Sequence, residues 1–182
     1  MNKVRLISTM GALVLSATAL LVAAPANAAD SGTVTPQSVC SGDYYFYKAN
    51  ITSHEWTQAS QSNSSVTGGP GVTLAISTST TFTVSGSITI TGEVSLSDTI
   101  VSVKASVGAT IGKSKSGTTT NSGSWTVPAS YNKGRLAIGT EKYKGTTTRY
   151  HETKSCTNVA SGSPSSYNAP SQEWDFEHFK VS

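Results

Sequence analysis

Three histidines stand beside glutamates, at His54-Glu55, His151-Glu152 and Glu177-His178, and these side chains are the best suited in the chain to hold a metal or move a proton. Imidazole titrates near neutrality and is a common metal ligand, so a converged set of the three would make a site. Their spacing argues otherwise. Neighbours on a strand point to opposite faces, and no two histidines have the short interval that puts two ligands on one ion. They read as surface histidines. The stretch Gly108-Ala-Thr-Ile-Gly112-Lys113-Ser114 approaches a phosphate-binding loop but is one residue short between its glycines, and the Ser/Thr-rich sequence after it offers a phosphate no helix N-terminus. Serines abound without a Gly-x-Ser-x-Gly elbow, and no carboxylate pair stands out for glycoside hydrolysis. The expectation is a protein that is not an enzyme, with no catalytic residue, cofactor or metal.

Aromatic residues offer a different chemistry, that of binding. Tyr44, Tyr45 and Tyr47 cluster near one terminus and Trp174 lies near the other. Such rings stack on sugars or sit at a membrane interface, and they also serve as plugs under the ends of a β domain. Composition narrows the partners. Lys3 and Arg5, the apolar run Met10 to Val22 and the small-residue end Ala26-Asn27-Ala28 form a secretory signal peptide over 1–28, leaving a single secreted, extracellular β domain over 29–182. The formal charge of +3 falls to +1 once Lys3 and Arg5 are removed, which is no footprint for nucleic acid. The two cysteines, Cys40 and Cys156, are expected to form a disulfide in an oxidising compartment.

The elements that would carry these residues are strands. From Val72 to Leu96 apolar residues alternate with Ser and Thr, the two-residue period of a strand with one apolar face. At Ser97-Asp98-Thr99 the phase flips, so that Val101, Val103, Ala105, Val107, Ala109 and Ile111 continue on the other parity. A phase flip beside such a cluster predicts a hairpin turn, the alternative being a bulge in one continuous strand. The predicted amphipathic hairpin spans 82–111, with Phe82, Val84, Ile88, Ile90, Val94, Leu96, Val101, Val103, Val107 and Ile111 on its apolar face. With Asp98 and Thr99 as turn residues, opposed residue numbers total 197, and Glu93 faces Lys104 as a charge pair. Both arms reach the roughly 9–11 residues that a membrane-crossing strand needs. Elsewhere, short strands are expected over 43–49, 51–58, 125–127, 135–144 and 146–151. Residues 112–123 read as loop or extended chain, the stretch from Cys156 to Pro170 as irregular, and the last dozen residues as one helical turn or an edge strand.

Three segments carry a family resemblance. They are Ser77-Thr-Ser-Thr-Thr-Phe-Thr-Val-Ser85, the amphipathic stretch continuing through Ile111, and Ser122-Gly-Ser-Trp-Thr-Val-Pro128 followed by Gly134-Arg-Leu-Ala-Ile-Gly139. In these the region from Val72 to about Tyr150 resembles the aerolysin-like β-pore-forming proteins. The resemblance implies an all-β fold, an elongated and mostly antiparallel sheet module that holds a tucked hairpin and is closed by one disulfide; a compact β-sandwich is the alternative. It implies a pore-forming toxin or a non-lytic relative, with membrane lipid or a cell-surface receptor as partner and a homo-oligomer as the working state. The competing reading is an extracellular carbohydrate- or protein-binding module without catalysis.

Overall fold

The computed structural model describes residues 44–77, 79–119 and 122–181; the expected signal peptide and Cys40 lie outside them. In chain order the elements are β1 (Tyr44–Gln58), β2 (Ser65–Gly68), β3 (Thr73–Ile76), β4 (Phe82–Ser85), β5 (Ser87–Thr89), α1 (Leu96–Val107), β6 (Ser114–Gly117), β7 (Gly123–Thr126), β8 (Lys133–Glu152), β9 (Asn158–Pro170) and β10 (Asp175–Val181). The fold is mostly β and its strand pairs are all antiparallel.

β8 organises the sheet. Its 20 residues would span about 65 Å at a strand rise of roughly 3.3 Å per residue. Along one edge it pairs with β1 and then β2, and along the other with β9 and then β10. β5 adds three residues outside β9. This sheet merges segments that the sequence separates. The strands expected over 43–49 and 51–58 are one strand with a bulge between Ile51 and Ser53. Those expected over 135–144 and 146–151 are joined through Gly145, where an added Cβ would meet the Asn50 carbonyl oxygen and the Tyr167 hydroxyl. Glycine there permits a close strand approach instead of marking a break.

The stretch read as irregular, up to Pro170, is largely β9. Its ladder with β8 runs from Thr147 opposite Ser165 to Arg149 opposite Ser161. Gly162, Ser163 and Pro164 therefore oppose Thr148 alone, and the bulge accommodates Pro164 and a Gly162 φ of 79°. The final residues form the edge strand β10.

Two apolar clusters hold the sheet. Leu74, Ile76, Phe82, Val84 and Val127 pack on Leu136 and Ile138 of β8. Ile88, Val103 and Ile111 pack on Tyr167 and Ala169 of β9, with Ala49, Ile100 and Tyr143 at the margin. Each fully buried large side chain, such as Phe82 or Ile111, contributes about 1.5–3 kcal/mol by leaving water.

The hairpin over 82–111 is not present. Phe82 and Val84 lie on β4 and Ile88 on β5, but the other arm is not a strand, because Leu96, Val101, Val103 and Val107 lie on the helix α1. Ile90 and Val94 lie between β5 and α1, and Ile111 makes an isolated bridge to Ser171. The expected turn is a helix start. Ser95 caps α1, with its hydroxyl accepting from the Asp98 backbone N–H at 3.1 Å while the Asp98 carboxylate accepts from the Ser95 backbone N–H at 2.9 Å. Gly108 ends the helix in the left-handed conformation, φ 77°, and its N–H donates to the Lys104 carbonyl. The expected Glu93–Lys104 pair does not form: Glu93 pairs with Arg149 of β8, while Lys104 sits in the last turn of α1.

Candidate functional site

A hairpin exists in this chain, but further out than the alternation suggests. β3 pairs β7 and β4 pairs β6. Thr73 lies opposite Thr126 and Phe82 opposite Gly117, so opposed residue numbers total 199 in both pairs. The stretches between them, 77–81 and 118–122, have equal length, so one register runs through both. The Gly86 N–H donates to the Lys113 carbonyl at 2.9 Å, which extends that register by one more pair. Taken together, β3 with β7 and β4 with β6 follow one register and count as a single nested hairpin, its inner part being 79–86 against 113–119.

Its two faces differ as the alternation requires. Leu74, Ile76, Phe82 and Val84 point into the core. On the other face hydroxyls bridge the arms: Thr73 to Thr126 at 2.8 Å and Thr83 to Ser116 at 3.1 Å. Past Gly86 the arms part, and the tip, residues 87–112, folds against the long sheet. Ile88, Val94, Val103 and Ile111 are buried there. Ile90, Leu96, Val101 and Val107 keep between 37% and 65% of their surface exposed.

Polar contacts hold the tip in place. The Thr91 hydroxyl donates to the Pro164 carbonyl at 2.6 Å, and the Thr91 N–H donates to the Ser165 hydroxyl at 3.0 Å. The Gly112 N–H donates to the Pro170 carbonyl, and the Gln172 N–H donates to the Thr110 carbonyl. Glu93 pairs with Arg149, whose guanidinium lies 3.8 Å from the centre of the Tyr45 ring. Tyr45 in turn stacks on His151 at 4.7 Å.

α1 is made of residues that favour strands. Thr99, Ile100, Val101, Val103 and Val107 give it five β-branched residues in twelve. Such side chains lose χ1 freedom in a helix and pack well on a pleated surface. Propensity therefore opposes this helix, and its capping box and contacts with the sheet sustain it. Thr99 and Ser102 are buried within it, and the Thr99 hydroxyl donates back to the Ser95 carbonyl at 3.1 Å.

The four aromatic residues read as binding candidates are not brought together. Alternation puts Tyr45 and Tyr47 on the face that carries Arg149, against the tip, and Tyr44 on the opposite face. Trp174 packs edge-on against Phe82 at 6.1 Å with the Lys115 ammonium over its ring, so it is a core plug. Tyr44 is joined instead by Phe46 of the same aromatic run and by Tyr150 of β8, which was not among the expected binding residues. Residues two apart on a strand share a face, and that parity was the signal.

The histidines are also dispersed. His54 contacts Glu141 at 3.4 Å, His151 stacks on Tyr45, and His178 stacks on Trp125 at 4.8 Å. Among the described residues no three His, Cys, Asp or Glu side chains gather as a metal cluster. Burial pushes the Tyr143 hydroxyl above its usual range, with Glu141 and Glu173 adding to the effect, and burial alone does the same for Tyr167. Both phenols line the seam between tip and sheet and stay neutral there. Compared with protein-family models and with curated proteins, the chain matches none.

Proposed function

We propose that this is a secreted, disulfide-closed, aerolysin-like protein that acts on membranes, as a pore-forming toxin or a non-lytic relative, by unfolding its tip into a longer hairpin. One observation carries the reading: the common register of the two ladders of the nested hairpin, with a two-residue alternation that resumes after Thr78 and Thr80 and runs on into the tip. Continuing that register puts Ile88 opposite Ile111, Ile90 opposite Ala109, Val94 opposite Ala105 and Leu96 opposite Val103, with Thr99 and Ile100 in the turn. Apolar residues meet apolar residues along most of both arms, with Gly92 opposite Val107 and Asp98 opposite Val101 beside the turn, and hydroxyls fill most of the other face beside Glu93 and Lys104. That is the lipid-out, water-in pattern of a membrane barrel. Each added arm, 87–98 and 101–112, is long enough to cross a bilayer at roughly 9–11 residues per strand. The partner is membrane lipid or a surface receptor, and several copies would contribute hairpins to one barrel.

Dye release from liposomes tests this. The unmodified protein should release dye and yield an oligomer. Ile90→Lys places a cation on the lipid face, at a cost of roughly 2–4 kcal/mol per copy near mid-depth, and should abolish release. Thr89→Lys, on the water face, should release dye with altered ion selectivity. Equal effects of the two substitutions, or no release on any membrane, would refute the reading.

A further inference from the structure

We propose that the face of the long sheet bearing Tyr44, Phe46 and Tyr150 is a binding site for a neutral saccharide. The proposal does not depend on the membrane reading, although Tyr44 and Phe46 also border α1 of the tip, with which they line a second depression. Tyr44 lies 5.8 Å from Phe46 and Phe46 lies 5.6 Å from Tyr150, each pair of ring planes within 16° of parallel. Tyr44 is 57% exposed. Tyr44 and Phe46 border an open depression of about 370 Å³, within the size range of small-ligand sites, and Tyr150 flanks it through its stack on Phe46. It is lined by Tyr44, Phe46, Lys48, Glu152 and Asn158, all from β1, β8 and β9.

The lining has the chemistry of sugar recognition. A pyranose presents a face of C–H groups that packs on an aromatic ring, and a rim of hydroxyls that both donate and accept. The rings supply the first contact. Glu152 supplies an acceptor, Lys48 a donor, and Asn158 both. The Lys48 ammonium is already held over two rings, 5.2 Å from Phe46 and 5.5 Å from Tyr150, so its donors sit close to the platform. The order of residues also selects against a bilayer. Tyr44, the most open ring, lies directly opposite Glu152 in the ladder, and a carboxylate there repels anionic headgroups and is costly to desolvate. For a polyol the same carboxylate is an asset.

Titration calorimetry of the secreted chain with soluble cello-, chito-, manno- and galacto-oligosaccharides reads the site. At least one should bind. Tyr44→Ala and Glu152→Ala should each weaken that binding by roughly tenfold or more. Val159→Ala, at the same end but on the opposite face, should leave it unchanged. Sedimentation with phosphatidylcholine vesicles, with and without phosphatidylserine, is the second arm. No binding to any oligosaccharide, or binding indifferent to Tyr44→Ala, overturns the proposal. So does a Tyr44→Ala defect confined to vesicles, which would make the rings a lipid contact. Because the calorimetry contains no membrane, its failure leaves the dye-release reading untouched, and failure of dye release leaves this one untouched.

Discussion

Glu177 is the residue whose charge works against the fold. Burial is the main cause, and the carboxylates of Asp175 and Glu141 add to it; together they raise the Glu177 carboxyl above its usual range against an opposing pull from His178. A carboxyl that binds its proton more tightly when folded favours folding at low pH, and that contribution is lost as pH rises through the folded value. Glu177→Gln should therefore stabilise the protein near neutrality, by no more than a few tenths of a kcal/mol for a side chain that is only partly buried. The gain should vanish below the ordinary glutamate range. Thermal melts of both proteins across that span check the sign, and a constant difference at all pH values would refute it. At this scale the sequence was legible where parity alone decides, and Leu74, Ile76, Phe82 and Val84 are buried as their alternation requires. It misled where two signals overlapped. Ser95-Leu-Ser-Asp98 is a helix start, but Ser, Asp and Thr in a row also describe a turn.

α1 shows the same ambiguity across a whole element. Leu96, Ile100, Val103 and Val107 have helical spacing, while Val101, Val103, Ala105 and Val107 have strand spacing, and one segment satisfies both. The observed helix follows from its caps and from its packing on β1 and β8, which a local pattern does not reveal. β9 was missed for the opposite reason: its Ser, Gly, Ala and Pro residues carry little strand preference, and pairing with β8 and β5 makes them a strand. The register argument gives the tip a sharp test. Nitroxide labels at Thr89 and Thr110, opposed residues on the water face in the register of 199, should come into near contact when the protein inserts into vesicles. Labels that stay apart would refute the extended hairpin. Labels that meet only between Thr89 and Gly108 would restore the register of 197.

For the molecule as a whole, the sequence conveyed the β class and the long sheet's antiparallel character; it did not convey the order of strands, since which edge of β8 receives β1 or β9 is set by long-range pairing. Cys156 lies in the turn that joins β8 to β9, with a φ of 60°. We expect it to be bonded to Cys40, closing a loop that includes β1 through β8 and the nested hairpin. In the chain-entropy picture such a closure is worth roughly 4–5 kcal/mol. Thiol labelling of the unfolded, unreduced protein should find no free sulfhydryl, and two labelled thiols per chain would refute the bond.

The bulge at Gly162–Pro164 has a consequence for timing. Thr91 docks there through the Pro164 carbonyl and the Ser165 hydroxyl, so one fastening of the tip falls where the β8–β9 ladder is already interrupted. Releasing it opens the short β5 ladder and these side contacts but leaves the rungs between β1, β8 and β9 closed. Amide protons of β5 and α1 should therefore exchange with solvent through a local opening well below the free energy of global unfolding, while those of β8 wait for the whole domain. The tip can thus be sampled many times over within the lifetime of one folded molecule.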